Sequence, residues 1–392
     1  MERREPVRPV PGAGAVLGVG AVSRNTVEAA LTVAHRARTP LMLIPSRRQV
    51  DAAAFGGGYL GWTTREFADR VRERDADGLT LLCRDHGGPW MHTAEHGLAD
   101  PAAALDSCAR SFAEDLASGF GLLHIDTSQG PQGPPGNGTG TGPVPFDAAA
   151  SRLVELYARC HAEARRLGVT VAYEIGFEPQ GVSTNDPDTF KAALRHVLEG
   201  IDGTGAPRPR YVVAQTGTKV AELRNVGRFH DPHARAETLR QVSTLAATCH
   251  QEGLLLKAHN CDYLTPEETR LLLAAGVDAF NVAPEFGVAE TRALLRILDE
   301  MELPRAKETF LARAHDSGEW RKWMLDPTTA TDAERAVIAG HYVFRTDEGR
   351  HVRDEAAHAL RARGRPALDA LLQDAVAERV ERCLRAVRAA HR

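Results

Sequence analysis

The chain of 392 residues holds six cysteines, Cys83, Cys108, Cys160, Cys249, Cys261 and Cys383, and none of them forms a C-x-x-C pair. That scatter argues against a zinc ribbon or a disulfide framework and for reduced, buried thiols. No apolar run approaches the roughly 18 residues that would span a bilayer. The charged, proline-rich stretch at positions 1–11 leads into no signal-peptide core, so a cytoplasmic location is expected. Strong charge of one sign is absent as well. A formal net charge of -4 gives no reason to expect nucleic acid or a membrane surface as partner. No G-x-G-x-x-G opens the first helix, which counts against an open dinucleotide-binding sheet. The phosphate loop G-x-x-x-x-G-K-[ST] is missing too.

What is present is an ordinary soluble composition, 43% hydrophobic and 26% charged, arranged with a repeat. Eight short apolar runs recur: Ala15–Val22, Leu41–Pro45, Leu79–Cys83, Leu122–Asp126, Thr170–Ile175, Tyr211–Gln215, Leu254–Ala258 and Ala279–Val282. Between them lie stretches of helical periodicity, such as Thr26–His35, Ala102–Leu116, Ala148–Arg166, Ala234–His250 and Pro266–Ala275. Ser23 and Thr265 stand where N-caps belong, and Gly119 and Gly276 where C-caps belong. Eight strands alternating with helices predict an α/β fold, a (β/α)8 TIM barrel over residues 12–303. The Gly/Pro-rich stretch 129–145 reads as a flexible loop. Residues 304–392 read as a C-terminal helical extension. In it Leu368, Leu371, Leu372, Val376, Val380, Cys383, Leu384 and Val387 make one apolar stripe, which packs on the barrel or on a partner chain.

In such a barrel the C-terminal strand ends gather the chemistry. Those ends carry Asp85 and His86, His124 and Asp126, Glu174, Gln215, His259 and Glu285. Any one of them alone is ordinary: Asp126 is a common cap, Glu174 is a candidate salt-bridge partner for Arg84 or Lys257, and a lone histidine after a strand is usually a hydrogen bonder. Six consecutive strands ending in acids, histidines or amides exceed what capping explains. Neutral imidazoles with a carboxylate hold a divalent metal and leave positions for substrate oxygens. The metal polarises a ketone, and a carboxylate, Asp85 first, exchanges a proton with the substrate hydroxyl.

The ordered series of short phrases then resembles a known family. It runs through Gly18-Val19-Gly20-Ala21-Val22, Arg48-Gln49-Val50, Gly57-Gly58-Tyr59, Arg84-Asp85-His86-Gly87-Gly88-Pro89-Trp90 and His124-Ile125-Asp126-Thr127-Ser128. It continues through Tyr173-Glu174-Ile175-Gly176, Gln215-Thr216-Gly217, Ala258-His259-Asn260-Cys261-Asp262-Tyr263, Val282-Ala283-Pro284 and Glu319-Trp320-Arg321-Lys322-Trp323. This series resembles the class II tagatose-bisphosphate aldolase family, in the branch described as its non-catalytic subunit. The resemblance implies a sugar or sugar-phosphate substrate and a divalent cation, zinc first. It assigns Asp85 and Glu174 to catalysis and His86 and His259 to the metal. The catalytic relatives carry a further zinc histidine in a Gly-Thr-x-His phrase, which here reads Gly217-Thr218-Lys219-Val220, so Gln215 or His230 is the expected substitute. Their phosphate-binding phrases have also changed. Arg47, Arg48, Gln49, Asp126, Lys219, Asn260, Asp262 and Glu285 are left as candidates for substrate contact.

Two function classes follow. One is an enzyme, a metal-dependent sugar or sugar-phosphate aldolase or ketose 4-epimerase acting through retro-aldol, enediolate chemistry. The other is a stabilising, non-catalytic partner of a separate aldolase subunit, with a homo-oligomer as a further possible assembly. A sugar-phosphate kinase, a label also attached to this branch, has no phosphate loop to support it.

Overall fold

The eight apolar runs are rich in Val, Ile and Leu without polar alternation, as parallel strands covered on both faces must be. In the computed structural model, which describes residues 14–131, 141–176 and 181–388, they form one closed parallel barrel. Its strands are β1 (Val16–Val19), β2 (Leu41–Leu43), β3 (Thr80–Gly87), β4 (Leu122–Asp126), β5 (Ala172–Gly176), β6 (Tyr211–Ala214), β7 (Leu255–Ala258) and β8 (Ala279–Val282). Strand β8 closes on β1 through Val16–Ala279 and Val19–Val282. The fold is therefore the (β/α)8 barrel that the alternation predicts, with further helices after it. A buried apolar cluster fills the barrel, among it Met42, Ile44, Leu81, Cys83, Leu122, Tyr211 and Ala279.

The helix starts follow local capping chemistry. Ser23 accepts from the Thr26 amide to begin helix Arg24–Ala37, and Thr265 with Glu268 makes a capping box for Pro266–Ala274. Helices Thr64–Arg74, Pro187–Gly203 and Pro284–Glu300 also surround the barrel. Within the stretch 129–145, Gln129–Pro131 pairs antiparallel with Thr141–Pro143, so those flanks are a short ribbon rather than free loop. Positions 132–140 lie outside the described residues.

The extension folds as helices Pro304–Asp316, Asp332–Val343, Asp347–Ala362 and Leu368–Arg388. Of the two placements left open for its apolar stripe, the chain's own barrel is the one observed. Val376, Val380, Leu384 and Val387 join the main hydrophobic core. Leu368 and Leu372 join a second core with Phe310, Phe344 and Val352. Arg379 donates to Glu285, which itself accepts from the Tyr263 amide at 2.5 Å. Glu285 thus links the final helix to the β7 loop. Leu384→Ala is expected to cost about 2–5 kcal/mol, checked by urea unfolding of the isolated chain. A helix reserved for a partner would leave that stability unchanged.

Candidate functional site

The third strand runs four residues further than its apolar run, which ends at Cys83, and it bulges. Cys83 and Arg84 pair with Leu122 and Leu123, but the next partner of β4 is Gly87, opposite Ile125. One extra residue on β3 is the result. His86 takes φ 44, the left-handed region that a residue with a side chain seldom occupies. The side-chain alternation of a regular strand is broken there, and both Asp85 and His86 line the same cavity. Gly88 follows so close to β4 that a Cβ would sit 1.7 Å from the Asp126 carbonyl oxygen.

Beneath the bulge four side chains converge. One ligand-type atom from each of Asp85, His124, Glu174 and His259 lies within 4.8 Å of the other three, and all four residues are buried. Asp85 Oδ1 is 3.2 Å from His124 Nδ1 and 3.7 Å from His259 Nε2. Glu174 Oε1 is 3.5 Å from His124 Nδ1 and 3.4 Å from His259 Nε2. Among the described residues no close hydrogen bond satisfies that oxygen although it is buried, the His259 ring at 3.4 Å being its nearest imidazole. A buried carboxylate oxygen left unpaired is costly unless a cation or donor meets it, so the four atoms fit a divalent cation. The Asn281 amide closes the cluster, 3.0 Å from His259 Nε2 and donating to Asp85 at 3.3 Å.

A buried cation sustains this acidic floor. Lys257 Nζ lies 2.7 Å from Glu174 Oε2, with both side chains almost fully enclosed. Burial pushes the Glu174 carboxyl up, but Lys257 and the neighbouring imidazoles outweigh it and hold it near 2. His259 is held below the usual imidazole range, chiefly by burial, and its neutral form is the one able to ligate. His86 is displaced the other way. Burial lowers it, yet Asp85 and a 2.8 Å contact from its Nδ1 to Asp126 raise it to about 9.

The structure sorts the residues expected from sequence. Asp85, His86, Gln49, Asn260, Asp262 and His259 line one cavity of about 370 Å³ with Arg48. Asp126 stands behind His86 and orients it. Glu174, expected in catalysis, is sealed beneath the cavity and bound to Lys257 rather than facing substrate. Arg47 does not line this cavity, because its guanidinium is buried between Asp51 and Glu95. Glu285 is likewise occupied by Arg379 and the Tyr263 amide. Gln215 accepts from the Gly181 amide, and His230 pairs with Glu268 at the surface, so neither joins the cluster. Lys219 does not line the cavity.

Sequence reasoning placed His124 at a strand end without giving it a role. Its signal was the spacing of two from Asp126 on one strand, which turns both side chains inward. The rings of His86, His124 and His259 stand 5.0–5.5 Å apart, so the third imidazole comes from β4 and not from the β6 loop. Tyr59, Lys322, Trp323, His341 and Tyr342 were also missed, and the last four arrive from the C-terminal extension to complete the cavity wall. The Glu222 amide donates to the Trp323 carbonyl at 2.6 Å, fastening that wall to the β6 loop.

A family model described as "D-tagatose-1,6-bisphosphate aldolase subunit GatZ/KbaZ-like" matches residues 10–319. The chain belongs to this GatZ/KbaZ-like family. Among solved structures it is similar to a probable tagatose 6 phosphate kinase from Sinorhizobium meliloti 1021, at 23% identity and TM-score 0.73, covering 95% of this chain and 100% of that one. It is also similar to the fructuronate-tagaturonate epimerase UxaE from Cohnella laeviribosi, at 13% identity and TM-score 0.55, over 94% and 81% of the two chains. The fructose-bisphosphate aldolase of Campylobacter jejuni is similar at 14% identity and TM-score 0.52, over 95% and 90%. At these identities the likenesses establish the shared barrel fold.

Two outcomes follow from the electrostatics. Lys257→Met is expected to destabilise the protein by about 3–5 kcal/mol, because it strands a buried carboxylate. Lys257→Met with Glu174→Met should recover much of that loss, measured by urea unfolding in the presence of chelator. His341 is the second case. Burial, then the charges of Lys322 and Arg48, hold its imidazole down to about 3 against an ordinary 6.5. Its contribution to stability is therefore complete above pH 6.5 and is lost as pH falls towards 3, since the unfolded chain takes up the proton first. In His341→Gln, unfolding free energies measured across that range should show a shallower slope.

Proposed function

We propose that this member of the GatZ/KbaZ-like family is itself an enzyme, a metal-dependent ketose or ketose-phosphate aldolase or 4-epimerase that works by retro-aldol chemistry. The observation that carries this reading is the unpaired, buried Glu174 Oε1, facing two imidazoles and flanked by Asp85. A chain kept only as a scaffold has no need of such a set. Asp85, His124, Glu174 and His259 would hold a divalent cation, zinc first, with His86 beside them. When bound, that cation would polarise the ketose carbonyl and favour the negative charge that develops on its oxygen.

The remaining work falls to the protein's own groups. Asp85 is both a member of the cluster and part of the cavity wall, so one oxygen reaches the cation set while the other remains for substrate. Its carboxylate takes the proton from the hydroxyl of the carbon about to separate. The C–C bond then breaks, and its electron pair moves towards the former carbonyl. His86, whose imidazole Asp85 and the Asp126 contact both favour in its protonated form, offers its remaining N–H to the oxygen that gains charge. The walled cavity retains the aldehyde fragment. If the fragment turns over before the bond re-forms, with Asp85 returning the proton, the hydroxyl carbon is inverted. If it leaves, the proton taken by Asp85 goes to the carbon that kept the electron pair, and the net reaction is aldol cleavage.

The family description as an aldolase subunit supports a second reading, in which the chain stabilises a separate catalytic partner. One set of measurements separates the two. The purified protein, assayed alone with ketoses, ketose phosphates and added divalent metal, is expected to contain near-stoichiometric metal and to turn over. Asp85→Asn should lower kcat by about 10²–10⁴. His124→Ala and His259→Ala should lose the metal by elemental analysis. Full activity in Asp85→Asn would overturn the role given to Asp85. Inactivity alone, combined with rescue of a co-expressed aldolase chain, would overturn the enzyme reading.

A further inference from the structure

The cavity carries opposite charges on its two contributing parts. The strand ends supply Asp85 and Asp262, whereas the extension and the β2 loop supply Lys322 and Arg48. Arg48 Nη2 lies 3.0 Å from the Glu319 carboxylate. Lys322 Nζ is only loosely paired with the same group, at 3.4 Å, and rests over the Tyr342 ring at 4.6 Å and the Trp323 ring at 5.4 Å. Two cations sharing one carboxylate leave one positive charge uncompensated in this wall. His341 in the same wall responds to that surplus, for Lys322 and Arg48 both help to keep it unprotonated. An ammonium has three donors to satisfy, and one long ion pair with two aromatic faces does not exhaust them.

We propose that Lys322 and Arg48 bind the anionic terminal group of an open-chain sugar, a phosphate ester or a carboxylate, so that the C-terminal extension determines substrate class. This rests on the reading that the cavity accepts a ketose. Glu319 is the carboxylate that the two cations share, and the substrate's anion displaces it from them. The guanidinium offers a fork of N–H donors that suits either anion, and the ammonium adds a point charge. Tyr59, Trp323 and Tyr342 line the same cavity and supply flat faces for the carbon chain. Lys322, Trp323 and Tyr342 all lie beyond residue 319, where the match to the family model ends. The selecting wall thus falls partly outside that match, with Arg48 and Tyr59 inside it.

Unreactive polyols test recognition separately from turnover. D-glucitol, D-glucitol 6-phosphate and D-gluconate, titrated calorimetrically into the full-length protein, have no ketone, so their binding does not depend on whether the enzyme reading holds. At least one anionic polyol should bind about 10- to 100-fold tighter than glucitol, and that preference should shrink with added salt. The tighter of the two identifies phosphate or carboxylate as the natural group. Lys322→Met and Arg48→Met should each remove most of the preference and leave glucitol binding unchanged. Glu319→Gln should strengthen anion binding several-fold. Lys322→Arg, which keeps the charge, should retain the preference, and the salt dependence of the unaltered protein applies even if a variant fails to fold. Equal binding of all three polyols would overturn the proposal. An equal loss for charged and neutral polyols in Lys322→Met would also overturn it.

Discussion

The ion pair between Lys257 and Glu174 is the constraint on which the site depends. A carboxylate with no exposed surface, sealed inside a barrel, cannot remain charged without compensation, and here one ammonium at 2.7 Å supplies it. One oxygen of Glu174 is thereby committed to Lys257, and the other is left unpaired towards the imidazoles. The pair also links two strands that are not neighbours, since β5 and β7 are separated by β6. It therefore fixes how the floor is shaped as well as how it is charged.

The same logic of enclosed charge explains why the cationic candidates sort as they do. Arg47 and Arg84 look as available as Arg48 in the sequence, yet both are buried against carboxylates, Asp51 with Glu95 and Asp115 respectively. These pairs brace the loop after β2 and the base of the bulge. Among the described residues lining the cavity, Arg48 and Lys322 are the cations that share a single carboxylate.

The barrel was legible because its signal is local: apolar runs of strand length, caps and glycine stops all arise within a few neighbouring residues. The apolar stripe of the helix Leu368–Arg388 was legible for the same reason, although its partner surface was not. Asp85, His86 and His259 could be found because strand ends converge in any such barrel. His124 was seen, but its role was obscure because which imidazoles share a point depends on the bulge in β3, and an inserted residue leaves no mark in hydropathy. Gln215 and His230 were drawn in by the gap in the Gly-Thr-x-His phrase, whereas the imidazole that joins the buried cluster stands two strands earlier. Arg47 and Glu285 were misassigned because a charge at a strand end says nothing about whether the fold already neutralises it. Lys322 and Tyr342 were out of reach, being brought to the cavity by long-range packing alone.

The Glu222–Trp323 tether and the wall it holds have a bearing on how such proteins diverge. The groups suited to bond making reside on barrel strands whose geometry is fixed by ladder hydrogen bonds, while those around the far side of the cavity sit on separately packed helices. Mutations in the second set can accumulate without disturbing the first. On the reading proposed above, a change in that one stretch would alter what the cavity admits while leaving the strand-borne groups in place.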